Sequence, residues 1–168
     1  NSKSNRGAVI AALLKFVQTN HFQGVNIDFE TDRVEDRNGM TAFVGELAAI
    51  FHPLGLLVTQ DVQLDSDAYA LTTLSQDNDF LVPMLYDEHG DGDSPGPVSS
   101  QGWFDHNLAA FVKQVPASKV VIGLGNYGYD WSEGSTSPDS LTFQDACQLA
   151  DESRDGDDGI IRLDPKSL

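Results

Sequence analysis

Residues 21–30 read HFQGVNIDFE, and the alternation inside this stretch decides how the rest of the chain is read. After Gly24, extended backbone sends Val25, Ile27 and Phe29 to one side and Asn26, Asp28 and Glu30 to the other. The apolar row suits a strand laid on a core. The polar row does not, because desolvating two neighbouring carboxylates without partners is costly. Either that face lines a solvated cavity or its acids do chemistry.

Working outward, strand-like and helix-like segments alternate. Val9, Ile10, Leu13, Leu14, Phe16 and Val17 recur at helical spacing over 6–19, with Ser4 or Asn5 as the expected cap. A strand over 24–30 follows. The next helix carries Met40, Phe43, Val44, Leu47, Ala48 and Phe51, and Pro53 and Gly55 stop it. LLVTQD (56–61) reads as a strand, and Ala68, Leu71 and Leu74 mark a short helix. FLVPMLYD (80–87) reads as a strand in which Pro83 predicts a bulge.

A helix from about Ser100 holds Trp103, Leu108, Phe111 and Val112, and KVVIGLG (119–125) reads as the fourth strand. Beyond it come a Gly/Ser/Pro-rich loop, a short helix opened by Thr142 with Asp145 three residues on, the acidic loop DESRDGDDG, and a fifth strand at GIIRLD. Such alternation implies a parallel sheet of β/α units. Strand starts near residues 24, 56, 80 and 119 average close to the ~31 residues per unit of an eight-unit barrel. Four or five units cannot close that barrel, and an open doubly wound sheet is the rival architecture.

With 168 residues and 40% hydrophobic content, the chain has the material for one packed domain, and none of its apolar runs is long enough to span a membrane. Its formal net charge of −16 excludes a non-specific nucleic-acid binder and disfavours an anionic membrane surface. A neutral or cationic partner is acceptable, and so is the plain reading of an acidic solubilising surface. Cys147 is the single cysteine, so the chain has no internal disulfide and no cysteine-rich metal site.

Several motifs yield to their plainer readings. GLGNYG (123–128) spells the dinucleotide fingerprint, yet Tyr129, Asp130, Trp131 and a loop with Pro138 follow where a helix should begin. DEHGDG (87–92) and DESRDG (151–156) resemble the start of calcium loops, but Val98 and Arg162 stand where a bidentate Glu is needed. His21, His52, His89 and His106 show no ligand spacing. No metal or other cofactor is expected.

The strand ends are more informative, because α/β proteins bind ligands at the carboxyl ends of their strands. Glu30 ends the first strand, Gln60 and Asp61 the second, Tyr86 and Asp87 the third, Asn126 and Tyr127 the fourth. One polar strand end means little. Four at the same end say more.

Three of these segments resemble one family, in its order. GVNIDFE looks like the fourth-strand signature of glycoside hydrolase family 18, the chitinase-like enzymes, whose pattern is Asp-Gly-x-Asp-x-Asp-x-Glu. MLYDEHG (84–90) resembles its Met-x-Tyr-Asp segment, and GLGNYG its Gly-Leu-Pro-x-Tyr-Gly. The resemblance covers residues 6–131. It implies a partial (β/α)8 barrel, a TIM barrel running from about helix three to strand seven in a single domain over 1–168, with the first three strands and the last outside it. More narrowly, GLLVTQDV, YDEHGDGDSPGPVSSQGWF and GYDW look like the hydrolase-like domain of bacterial proteins that also carry a polysaccharide deacetylase and a glycosyltransferase. Gln23 and Asn26 depart from the signature's first two acids, and Phe29 from its usual Trp.

The resemblance implies hydrolysis of chitin-like polysaccharide in which the substrate's own acetamido group is the nucleophile. Glu30 is then the general acid, Asp28 the acceptor for the acetamido N–H, and Tyr86 the donor to the acetamido carbonyl. Substrate contacts are expected from Asn26, Gln60, Asp61, Met84, Asp87, Asn126, Tyr127 and Trp131, with Tyr129 a further stacking candidate. The partner is an N-acetylglucosamine or partly deacetylated glucosamine polymer, with no nucleic acid and no membrane contact from this segment. The expected setting is extracytoplasmic, with the full-length chain secreted or membrane-anchored. The rival class is a non-hydrolytic, lectin-like barrel, which usually lacks the acid that Glu30 supplies here.

Overall fold

The computed structural model describes residues 2–31, 33–64, 66–132 and 134–152. The fifth strand expected at 159–164 and the second calcium-like loop fall outside or at the edge of these residues. The chain divides into two compact units, residues 1–84 with 109–122, and residues 85–108 with 123–168.

The first unit opens on helix α1 (Lys3–Thr19). Its cap is Ser2, not Ser4 or Asn5, because the helix runs a turn further toward the amino terminus. The Ser2 hydroxyl accepts from the Asn5 amide at 3.3 Å. Strand β1 (Gly24–Ile27) follows, then helix α2 (Arg37–Phe51), strand β2 (Leu57–Val62), helix α3 (Leu71–Asp77) and strand β3 (Phe80–Pro83). The three strands pair in parallel in the order β1-β2-β3, with Ile27 opposite Gln60 and Asp61 opposite Val82. Gly55 ends the turn after α2 in the left-handed region, at φ 72°, where a Cβ would be strained.

Alternation along β1, β2 and β3 gives the sheet two unlike faces. Ile27, Val58, Gln60, Val62 and Leu81 are buried against the helices. On α2, Met40, Phe43, Val44, Leu47, Ala48 and Phe51 form one buried stripe, joined by Ile10 and Val17 of α1 and Leu74 of α3. The opposite face carries Asn26, Thr59 and Asp61, with Leu57 and Phe80 exposed. Sequence-neighbouring strands lie side by side and their helices share one face.

Two expected strands are shorter. β1 ends at Ile27, so Asp28, Phe29 and Glu30 extend past the ladder. β3 ends at Pro83, which pairs with Val62 in unbroken register in place of the expected bulge, and the Met84 amide just beyond it still donates to the Val62 carbonyl at 3.0 Å. The fourth expected strand does not form a ladder. Val120 bridges Leu81, the Val121 amide donates to the Leu81 carbonyl at 3.0 Å and the Leu85 amide to the Gly123 carbonyl at 3.3 Å, while Val121 and Ile122 stay exposed. An apolar run reads as a strand in sequence, but a ladder needs successive partners. Lys119 ties this segment down, its Nζ donating to the carbonyls of Ser75 (2.6 Å) and Asn78 (2.8 Å) at the end of α3.

The second unit contains most of helix α4 (Gln101–Phe111), an antiparallel pair β4 (Gly128–Asp130) and β5 (Asp139–Leu141), and helix α5 (Phe143–Glu152). Glu88 caps α4 by accepting from the Ser100 amide and hydroxyl. The β4–β5 pair lies where a Gly/Ser/Pro-rich loop was expected. α5 opens as the sequence predicts, the Thr142 hydroxyl donating to Asp145 at 2.7 Å and accepting from the Asp145 amide at 3.2 Å. No helix among the described residues is long and apolar enough to cross a membrane.

Candidate active site

In the first unit the polar row of the opening stretch lies on the open face of the sheet. Gly24 starts it, because β1 and β2 run so close there that only a residue without a side chain fits. The Asn26 amide is held from both ends. Thr59 Oγ1 donates to its Oδ1 at 2.7 Å, and its Nδ2 donates to Asp61 Oδ2 at 2.6 Å. Asp28 and Glu30 follow on exposed backbone. Glu30 Oε2 accepts from Gln63 Nε2 at 3.3 Å. The Tyr69 hydroxyl donates to the Phe29 carbonyl at 2.9 Å, fixing the backbone between the two acids, and touches Gln63 Oε1 at 3.4 Å. Phe29 itself turns to the helix side and meets Phe43, ring centres 5.5 Å apart, at a cleft of about 340 Å³ between α1 and α2.

The electrostatics follow from this crowding. Burial, then the charge of Asp28, push the Asp61 carboxyl above the usual aspartate range, against the pull of the Asn26 amide. The Tyr69 phenol is also raised, by burial first and by the charges of Glu30 and Asp28 after it.

In the second unit Asp87 stands in the left-handed region at φ 60°, an uncommon conformation for a residue with a Cβ. Its Oδ1 accepts from the hydroxyls of Tyr127 and, at 2.9 Å, Tyr129. Tyr86, Tyr127, Tyr129 and Trp131 form a run of edge-to-face rings with centres 5.5–6.2 Å apart. Burial and then the Asp87 carboxylate raise both the Tyr127 and Tyr129 phenols above their ordinary range. The Trp131 Nε1 is buried without a hydrogen-bond partner among the described residues.

The sequence-predicted residues thus fall into two groups. Asn26, Asp28, Glu30 and Asp61 come together in the first unit, and Tyr86, Asp87, Tyr127 and Trp131 in the second. Asn126 is exposed beside Tyr127, and Met84 is half-buried just after β3. Gln60 does not belong with them. It sits in the helix-facing core, fully buried, donating to Met40 Sδ at 3.0 Å and accepting from Asn78 at 3.4 Å. A strand end places adjacent residues on opposite faces, so Gln60 and Asp61 could not both line one site. The same alternation, applied from Asp61, points to Thr59 and Gln63, which sequence reasoning passed over. Tyr69 lies beyond β2 and carries no local signal.

The family model for glycosyl hydrolases family 18 matches residues 1–162. The chain belongs to that family. It is 32% identical over 136 residues to the uncharacterized glycosylase YvbX of Bacillus subtilis, covering 74% of this chain and 40% of that protein. The cortical fragment-lytic enzyme of B. subtilis is 28% identical over 145 residues, 79% of this chain and 34% of its own length. Among solved structures, a chitinase from Chromobacterium violaceum superposes with a TM-score of 0.83 at 31% identity, covering 89% of this chain and 50% of that one. The chain spans well under half the length of these curated relatives.

Proposed function

We propose that this chain carries the acid-bearing part of a glycosidase that cleaves N-acetylglucosamine-containing polysaccharide with retention of configuration. Glu30 protonates the leaving glycosidic oxygen, and the substrate's acetamido oxygen attacks the anomeric carbon as that bond breaks. Asp28 accepts the acetamido N–H and so aims the carbonyl oxygen at the carbon. By the family motif, Tyr86 donates its hydroxyl to that carbonyl oxygen. Water then adds at the anomeric carbon and gives its proton to the Glu30 carboxylate.

The observation that carries this reading is the placement of Asp28 and Glu30. Both project from the end of β1 on the exposed side, with the backbone between them pinned by Tyr69. The three strands are, in this reading, an arc of a (β/α)8 barrel whose interior is the open face. Exposed Leu57 and Phe80 on that face, and helices confined to the other, support it. A partly deacetylated, cationic polymer suits the net charge of −16, and an extracytoplasmic setting suits such a substrate.

The test is to incubate the complete protein with N-acetylglucosamine oligomers and follow the products by proton NMR. Release of shorter oligomers with the initial anomer matching the substrate supports the proposal. Binding without turnover converts it to a lectin-like module, and neither binding nor turnover refutes both.

A further inference from the structure

The amide of Asn26 stands where the family pattern has an acid, yet a carboxyl group is still held on the same face. Asn26 has no freedom to rotate. Its oxygen takes the Thr59 proton at 2.7 Å, so its nitrogen must present to Asp61 Oδ2 at 2.6 Å. The carboxyl of Asp61 is thereby fixed across the strand pair, two residues beyond Thr59, the partner of Asn26. From the structure we infer that Asp61 is a positioning residue for the acid site, the ionisable carboxyl that holds Asn26 and couples to Asp28 from the neighbouring strand. This rests on the reading of Asp28 and Glu30 given above.

The surroundings leave Asp28 as the charged neighbour that acts on Asp61. The same-face neighbours in the chain are Thr59 on β2 and Gln63 just past its end, and on β3 the paired residue is Val82. None of these ionises. Glu30 is engaged by Gln63. Burial and the Asp28 charge both favour a proton on Asp61, which places its titration nearer neutrality than an ordinary aspartate. An ionised Asp61 grips the Asn26 amide by a charge-assisted bond, and protonation weakens that grip. Activity should therefore fall on the acidic side as Asp61 takes its proton.

Asp61→Asn keeps an oxygen for Asn26 and removes the titration. In the complete protein its kcat/KM profile should lose the parent's acidic limb, which moves toward acid by at least about one pH unit, a shift equal to about 1.4 kcal/mol. The double variant Asn26→Asp/Asp61→Asn returns the carboxyl to β1 and should restore that limb. A second readout does not depend on turnover. The Asn26 side-chain amide, followed by NMR, should shift with pH at a midpoint above the usual aspartate range of ~3.9, and the shift should vanish in Asp61→Asn. An Asn26 amide that titrates identically in both proteins overturns the inference. So do superimposed pH profiles. If the protein turns nothing over but the Asn26 titration follows Asp61, the coupling stands and the glycosidase reading falls.

Discussion

Replacing Gly24 by Ala tests how the acid strand is seated. A Cβ at this position would lie 2.1 Å from the Leu57 carbonyl oxygen and 2.7 Å from both Leu57 N and Leu57 C. All three are backbone atoms, so no side-chain rotation can relieve the contact. Reaching the 3.0 Å that real Cβ contacts respect requires the strands to part by about 0.9 Å, the difference between 3.0 and 2.1. The bond from the Leu57 amide to the Gln23 carbonyl, 2.8 Å in the native pair, then stretches to about 3.7 Å and is lost. That bond contributes ~1 kcal/mol, and the overpacking adds ~1–3 kcal/mol of strain. A destabilisation of about 2–4 kcal/mol is expected. Two residues along, the Asn26–Asp61 and Thr59–Asn26 bonds cross the same strand pair, so hydrolysis should fall with stability. Urea unfolding monitored by circular dichroism gives the first quantity and oligomer turnover the second. A variant within about 0.5 kcal/mol of the parent would mean that β1 and β2 do not meet at Gly24.

Three further outcomes are expected. Arg6 donates to Glu46 through Nε (3.0 Å) and Nη2 (2.7 Å), and this pairing holds the Glu46 carboxyl below its ordinary value. A depressed carboxylate stabilises the fold above its unfolded value of 4.5 and loses that contribution as pH falls through the folded one. Glu46→Gln should therefore be less stable than the parent at pH 7, with the two unfolding curves converging in acid. Lys119→Met keeps the aliphatic stem but strips two donors from the carbonyls that end α3, and should cost ~1–3 kcal/mol by thermal or urea unfolding. Binding of a partly deacetylated glucosamine polymer should weaken as salt rises toward 1 M, where the screening length is ~3 Å, while a fully acetylated oligomer changes little. Equal salt dependence for both would leave the acidic surface without a role in recognition.

Much of this architecture is legible in the chain because periodicity is a local property. The α2 stripe from Met40 to Phe51 and the Thr142–Asp145 cap follow from spacing alone, and both form as read. Gln60 shows where local reading fails. A polar residue at a strand end suggests a site, but its face is set by register, and register places it under Met40 and Asn78. The segment at 119–125 lies beside Leu81 but meets it through isolated bonds and no ladder, and hydrophobicity does not specify that difference. Asp61 stood out as a strand-end acid, whereas its hold on Asn26 required knowing that Thr59 and Asn26 are register partners. The Asp87–Tyr129 bond joins residues 42 positions apart, and no spacing rule reaches that far.

Glu30 is the proposed proton donor, and Glu30→Gln in the complete protein tests that role. The amide keeps the shape and the Gln63 contact while removing the acidic proton. Turnover of N-acetylglucosamine oligomers should drop by at least ~100-fold, with oligomer affinity by calorimetry within a few-fold of the parent. Undiminished turnover in Glu30→Gln would remove Glu30 from the role of proton donor.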